Sequence, residues 1–307
     1  MSTGTTSPSA DTLQGVLHVG GAEVVRNLGR VERRMAELAT GYGPLLAQHA
    51  GETIAAGGKR LRPLLVCLAA GAPPPETDGV LRAAVAVELV HAATLVHDDV
   101  LDGSRLRRGR PTVFAQGGRP LATATGDLLF SRAFAELAAG GSIESVRVLS
   151  RAACELAQGE LMQRGDAFDG QVSVERYLER CRLKTGVLFR AACELGALSA
   201  DGPADQLGAF GERVGVAFQI LDDVLDVTGP PERTGKPRGA DLLDGTVTLP
   251  LILAQAEDSG LATVDLHEVR TPDQAAEVCR RIAMTGALNE AKSRALELVA
   301  QATHGLP

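Results

Sequence analysis

Two short stretches carry the same arrangement of acids. Residues 95–112, LVHDDVLDGSRLRRGRPT, place Asp98, Asp99 and Asp102 just ahead of Arg105, Arg107, Arg108 and Arg110. Residues 219–226, QILDDVLD, place Asp222, Asp223 and Asp226 at the same spacing. On a helix, side chains three and four apart share a face, so Asp102 stands beside both Asp98 and Asp99. Leu95-Val96, Ile220-Leu221, Val100-Leu101 and Val224-Leu225 set these charges into apolar faces, where ionised groups need partners. One such turn alone reads equally well as a solvated charged face. Two on apolar helices read as facing halves of one metal site. The donors are all oxygens, with no histidine–cysteine cluster, which indicates magnesium rather than zinc. Magnesium usually bridges carboxylates to phosphate oxygens, so a phosphorylated ligand follows.

Cations supply the other half of such a site. Lys59, Arg60 and Arg62 follow Gly57-Gly58, and Arg107 and Arg108 follow the first acidic turn. Lys184 falls in a largely apolar stretch and Lys236 in a glycine-flanked loop. Arginine forks match phosphate oxygens bidentately and lysine acts as a point charge. Any one of these is ordinarily a surface cation; beside two acidic turns in an acidic chain they read together as a phosphate cradle. His91 lies seven residues before Asp98, about two turns along the same face. His97 reads as a supporting or surface residue. Gln219 could satisfy a buried backbone group, but its place one turn before Asp223 favours the site.

The elements that position these residues are helical. The chain has 307 residues, 45% hydrophobic but only 3% aromatic and without tryptophan, which favours closely packed helices over a β-sandwich. The net charge of −7 argues against non-specific nucleic-acid binding. Cys67, Cys154, Cys181, Cys193 and Cys279 are odd in number, without close pairs, and read as small core residues in a reducing, cytoplasmic setting. No signal peptide and no run long enough to span a bilayer is expected, so membrane contact is expected at most transiently, on product release. Residues 1–10 read as a disordered tail and 11–307 as one all-α domain. Helical periodicity is expected over 13–48, 81–101, 122–139, 143–163, 174–198, 206–226, 249–257 and 272–302. Residues 72–79, 103–112 and 230–246 read as loops, and no β-alternation stands out.

GGKRLRP (57–63), ELVHAATLVHDDVLD (88–102), RRGRPT (107–112), KTG (184–186), FQILDDVLD (218–226) and GKPRGADLLDGT (235–246) resemble, in order and spacing, the motifs of trans-polyprenyl diphosphate synthases. The resemblance implies an all-α bundle of the isoprenoid synthase type around a large central cavity, acting as a homodimer. It implies that Asp98, Asp99, Asp102 and Asp222, with Asp223 and Asp226 behind it, hold Mg²⁺ (three ions with substrate bound) on an allylic diphosphate. Arg107, Lys184 and Lys236 would bind that diphosphate. Lys59, Arg62, His91 and Arg108 would bind isopentenyl diphosphate, and Thr185 and Gln219 would line the reacting carbons. The family often has lysine where this chain has Thr246, which would weaken allylic binding or pass the task to Arg238.

Ala93 and Thr94, one turn before Asp98, would form the first floor of a product tunnel. In the family that the chain resembles, large aromatics near these positions stop growth early, so the small residues here imply a long product, about C30 to C50. Three other readings remain: a short-chain farnesyl or geranylgeranyl diphosphate synthase, a class I terpene cyclase, and a non-catalytic partner subunit. The second DDxxD, the basic GGKRLRP segment and the scarcity of aromatics count against a cyclase. Retained aspartates and Lys59 count against a silent subunit.

Overall fold

The computed structural model describes residues 8–40, 49, 51, 53–54, 58–71, 74, 77–107, 109–230 and 237–307, with side chains of the first helix described from 15 to 38. Arg108 and Lys236, both expected to bind phosphate, lie outside the described residues, as does most of the expected N-terminal tail. The described chain is helical apart from one two-stranded hairpin, so the all-α expectation holds. It forms two compact units: residues up to Ser150 with Ala191–Gly208, and Arg151–Arg190 with Ala209–Pro307.

The first unit holds α1 (Pro8–Thr40), α2 (Leu61–Ala69), α3 (Asp78–Leu101), the hairpin β1 (Leu106–Arg107) with β2 (Arg110–Pro111), and α4 (Val113–Ala138). Helix α3 carries the first acidic turn at its C-terminal end. Thr77 caps it by accepting from the Val80 N–H, and Asp78 faces the positive end of its dipole. Val85, Ala86, Val87, Leu89 and Val90 have no exposed surface. Each buried valine or leucine contributes about 1.5–3 kcal/mol of transfer free energy. By length and hydropathy α3 could cross a bilayer, which corrects the expectation that no segment could. Its apolar character is accounted for by burial inside this unit.

The second unit takes most of α5 (Ile143–Asp166), then α6 (Val174–Cys181), a π-turn (Arg182–Gly186), the start of α7 (Val187–Leu198) and most of α8 (Ala204–Thr228). It ends with α9 (Ala240–Leu243), α10 (Leu249–Glu257), α11 (Ser259–Ala262), α12 (Pro272–Ala283) and α13 (Ala287–His304). Tyr177, Ile220, Val224, Leu249, Leu251, Leu261 and Ile282 form its core.

Three boundaries differ from the sequence reading. Helix α4 starts at Val113, nine residues before the expected 122, because Thr112 caps it; the chain then kinks at Gly118 (φ 71°) ahead of Pro120. The expected helix 174–198 is interrupted by the π-turn, and 272–302 breaks at Met284–Gly286. Four cysteines are buried as expected, whereas Cys154 is exposed.

Candidate active site

At the first acidic turn the three aspartates separate by burial. Asp99 is 5% exposed, Asp98 is half-buried and Asp102 is exposed. Asp99 faces the hairpin, and Arg107 donates from both Nε and Nη2 to its Oδ1 at 2.9 Å. The hairpin exists to bring that arginine back. Gly109, at φ 74°, supplies the left-handed turn between the strands. Thr112 closes the loop at its base: its hydroxyl donates to the Ser104 carbonyl at 2.7 Å while accepting from the Ala115 N–H. A six-residue excursion thereby clamps the middle aspartate.

The GGKRLRP segment is anchored to the same helix. Arg60 sits in the left-handed region (φ 47°, ψ 40°), costing a non-glycine residue about 1–2 kcal/mol. That cost is offset by ion pairs with Glu32 at 2.5 Å and Glu88 at 2.7 Å, and by a bond to the Ile54 carbonyl at 2.9 Å. Arg60 is therefore scaffold; of its neighbours with expected ligand roles, Lys59 is exposed and Arg62 half-buried. Burial pushes the Arg62 guanidinium down to about 10, with Glu88 opposing, so it stays charged at neutral pH. On α3, His91 is half-buried, Ala93 is fully buried, and the half-buried Thr94 donates back to the His91 carbonyl at 2.8 Å. His97 packs against Gly126, stacks on Phe130 and lies 3.3 Å from Asp127, which makes it a helix-packing residue.

In the second unit, Lys184 and Thr185 stand on the π-turn. Two glycines permit its close packing. A Cβ on Gly159 of α5 would lie 2.8 Å from Leu183 Cβ, and one on Gly215 of α8 would lie 2.8 Å from Gly186 Cα. Such single-turn bulges re-aim side chains and recur at functional sites. Here Lys184 Nζ reaches Glu160 at 2.6 Å and Gln163 at 2.9 Å. Burial alone would raise the Glu160 carboxyl; the charges of Lys184 and Arg164 hold it below the usual carboxylate value.

Thr185 donates to Gln219 Oε1 at 2.7 Å, and Gln219 Nε2 donates to Asp223 Oδ1 at 2.8 Å. Tyr177 OH, from α6, donates to Asp223 Oδ2 at 2.7 Å. Asp223 is 4% exposed, and burial pushes its carboxyl up to about 7, against the lowering effect of its two donors. Asp222 is exposed and Asp226 half-buried. Asp226 accepts from the Asp241 N–H, and its backbone carbonyl accepts from the Gly239 N–H at 3.0 Å, tying α8 to the loop before α9. Thr246 is half-buried, and Arg238 Nε is buried with no hydrogen-bond partner among the described residues.

Among the expected residues, Arg107 meets Asp99 in the first unit, and Thr185, Gln219 and Asp223 are joined in the second. Sequence reasoning missed Glu88, Glu32, Tyr177 and Glu160. Glu88 had a signal: it is the one acid in the apolar run 83–96, where a charge needs a partner. The others pair with residues distant in the chain and left no local trace.

The donor set suits a hard cation. The aspartates offer only oxygens, and each turn turns two carboxylates towards solvent. Among the described residues no three His, Cys, Asp or Glu side chains form a ready-made ion cage.

A family model described as polyprenyl synthetase matches residues 44–283. The heptaprenyl diphosphate synthase component 2 of Geobacillus stearothermophilus is 43% identical over 226 residues, covering 73% of this chain and 70% of that one. The geranylgeranyl diphosphate synthase of Methanosarcina mazei is 39% identical over 253 residues, or 80% and 78% of the two chains. A solved polyprenyl synthase from Caulobacter crescentus CB15, complexed with calcium and isoprenyl diphosphate, matches with TM-score 0.86 at 35% identity, over 92% of this chain and 90% of that one.

Proposed function

The chain belongs to the polyprenyl synthetase family and is a prenyltransferase, and from that premise we propose that it extends an allylic diphosphate with isopentenyl diphosphate to a long product, about C30 to C50. The observation that carries the proposal is the repeated acidic turn: in each copy the middle aspartate is buried while the outer two lie nearer solvent. Asp98, Asp102, Asp222 and Asp226 would carry magnesium, three ions with substrate bound, and Asp99 and Asp223 would stand behind them. Bound magnesium would neutralise charge on the leaving diphosphate.

Arg107, Lys184 and Lys236 bind the allylic diphosphate in this reading. Lys59, Arg62, His91 and Arg108 bind isopentenyl diphosphate. The allylic carbon–oxygen bond breaks, and the cation is attacked by the isopentenyl double bond. The new carbon–carbon bond forms, and a proton passes to the departing diphosphate. Fixed charges and dipoles act most strongly where water is excluded, and water would otherwise trap the cation. The Thr185 and Gln219 oxygens offer lone pairs without being competing nucleophiles. Ala93 has no exposed surface; in this reading it forms the tunnel floor on the strength of its place one turn before Asp98, so Ala93→Phe should shorten the product while largely keeping the rate, and unchanged lengths would place the floor elsewhere.

The reading carries a homodimer, a cytoplasmic setting consistent with five unpaired cysteines, and membrane contact only at product release. The Geobacillus relative's designation as component 2 favours a second reading, in which full turnover needs a further subunit. Chromatography of the products made by the purified chain alone, with Mg²⁺, farnesyl diphosphate and isopentenyl diphosphate, separates the two. Products beyond C20 support the proposal; products ending at C15 or C20 overturn the length, and turnover only after a partner is added supports the second reading.

A further inference from the structure

The hydrogen bonds among Tyr177, Asp223, Gln219 and Thr185 have a fixed direction. Gln219 donates its amide N–H to Asp223 and accepts from Thr185, the direction that the ionised form of Asp223 imposes, since a carboxylate only accepts. Thr185 must then spend its single proton on Gln219. Its oxygen keeps lone pairs and loses the ability to donate. Tyr177, with one proton and 1% exposure, donates it to the second oxygen of Asp223, which keeps that carboxylate an acceptor and fixes its rotation. Reversing any bond would leave two donors or two acceptors facing each other in a buried setting.

We propose that Tyr177 and Asp223 are positioning residues that set the polarity of this chain of hydrogen bonds, so that Thr185 presents lone pairs and no proton to the reacting carbons. The inference rests on the prenyl-transfer reading. A hydroxyl able to turn its proton inward would repel developing positive charge, whereas a lone pair attracts it. Asp223 thereby differs in task from Asp222 beside it, acting on orientation rather than on metal. Nothing in the sequence marks Tyr177 for this; it lies 46 residues from Asp223.

Tyr177→Phe keeps the ring and removes the proton. The expected result is a kcat for condensation lowered roughly tenfold, the scale typical of losing a supporting hydrogen bond. KM for both diphosphates and the Mg²⁺ concentration for half-maximal rate should stay within twofold of wild type. The share of allylic diphosphate diverted to allylic alcohol by water should rise. A purely structural role would not move that partition. Thr185→Val, which removes the terminal hydroxyl, supplies the second arm: Tyr177→Phe should have almost no further effect on kcat in that background. Wild-type kcat and alcohol fraction in Tyr177→Phe, or independent multiplication of the two losses, would overturn the inference. So would a shifted Mg²⁺ requirement in Asp223→Asn, which would make Asp223 a metal ligand. If the wild-type protein itself does not condense the two diphosphates, the prenyl-transfer reading has failed instead.

Discussion

The two acidic turns share a sequence pattern and solve one problem differently. In the first unit the buried middle aspartate is held by a cation, Arg107, delivered by a solvent-side hairpin. In the second unit it is held by two neutral donors, Tyr177 and Gln219, from within the helix packing. The nearby cations pair elsewhere, Lys184 with Glu160 and the buried Arg180 with Asp166, although the Arg180 charge also favours the ionised Asp223. A DDxxD pattern therefore specifies where carboxylates stand but not what neutralises them. The ionic clamp lies on a loop and can exchange partners when an anion arrives. The neutral clamp adds no charge for an anion to capture, and it suits residues that must keep one orientation through the reaction.

The comparison breaks most easily at the outer aspartates. Asp98→Ala and Asp222→Ala should each lower condensation on the order of a thousandfold in steady-state assays. Asp99→Asn should lose far less; the reverse ranking would end the division between outer and middle positions. Arg107→Gln strands a buried carboxylate and should destabilise the fold by about 1–3 kcal/mol in urea unfolding. Asp99→Asn added to it should recover most of that loss. Its counterpart Tyr177→Phe removes only a neutral donor and should cost about 1 kcal/mol.

Glu160→Gln sharpens the contrast further. The folded carboxyl titrates below its ordinary value, so its stabilising contribution is complete above the unfolded value near 4.5 and is lost as pH falls through the lowered folded one. The variant's acid-unfolding limb should be flatter, and Lys184, freed of its counter-ion, should bind inorganic pyrophosphate several-fold more tightly in metal-free calorimetry. The smallest effect is expected at Gly109: Ala there must adopt the left-handed region and should cost about 1 kcal/mol of stability. A larger loss would show that the hairpin does more than deliver Arg107.

The chemistry was legible because it is written in charged residues at helical spacing. Asp98 to Asp102, Asp222 to Asp226 and Lys184 could be picked out from type and order, whereas Thr185 was marked only by the family resemblance. Their partners could not, since Arg60 and Glu88 are 28 residues apart and Tyr177 and Asp223 are 46 apart. Periodicity showed helix from 174 to 198 but not the π-turn inside it. That extra residue comes from packing against Gly159 and Gly215, which local propensity does not report. The early start of α4 was hidden by Gly118 and Pro120, which read as loop until Thr112 is seen capping. Arg60 read as one more cation, and only its backbone conformation marks it as a fastener.

The most direct measurement is the Mg²⁺-dependent elongation of farnesyl diphosphate by the purified chain, run beside Asp98→Ala and Asp222→Ala with products resolved by length. Long polyprenyl diphosphates from the wild type, near-complete loss in both variants and complete loss on chelation are the expected result. Elongation that survives removal of either aspartate, or of the metal, would contradict the account.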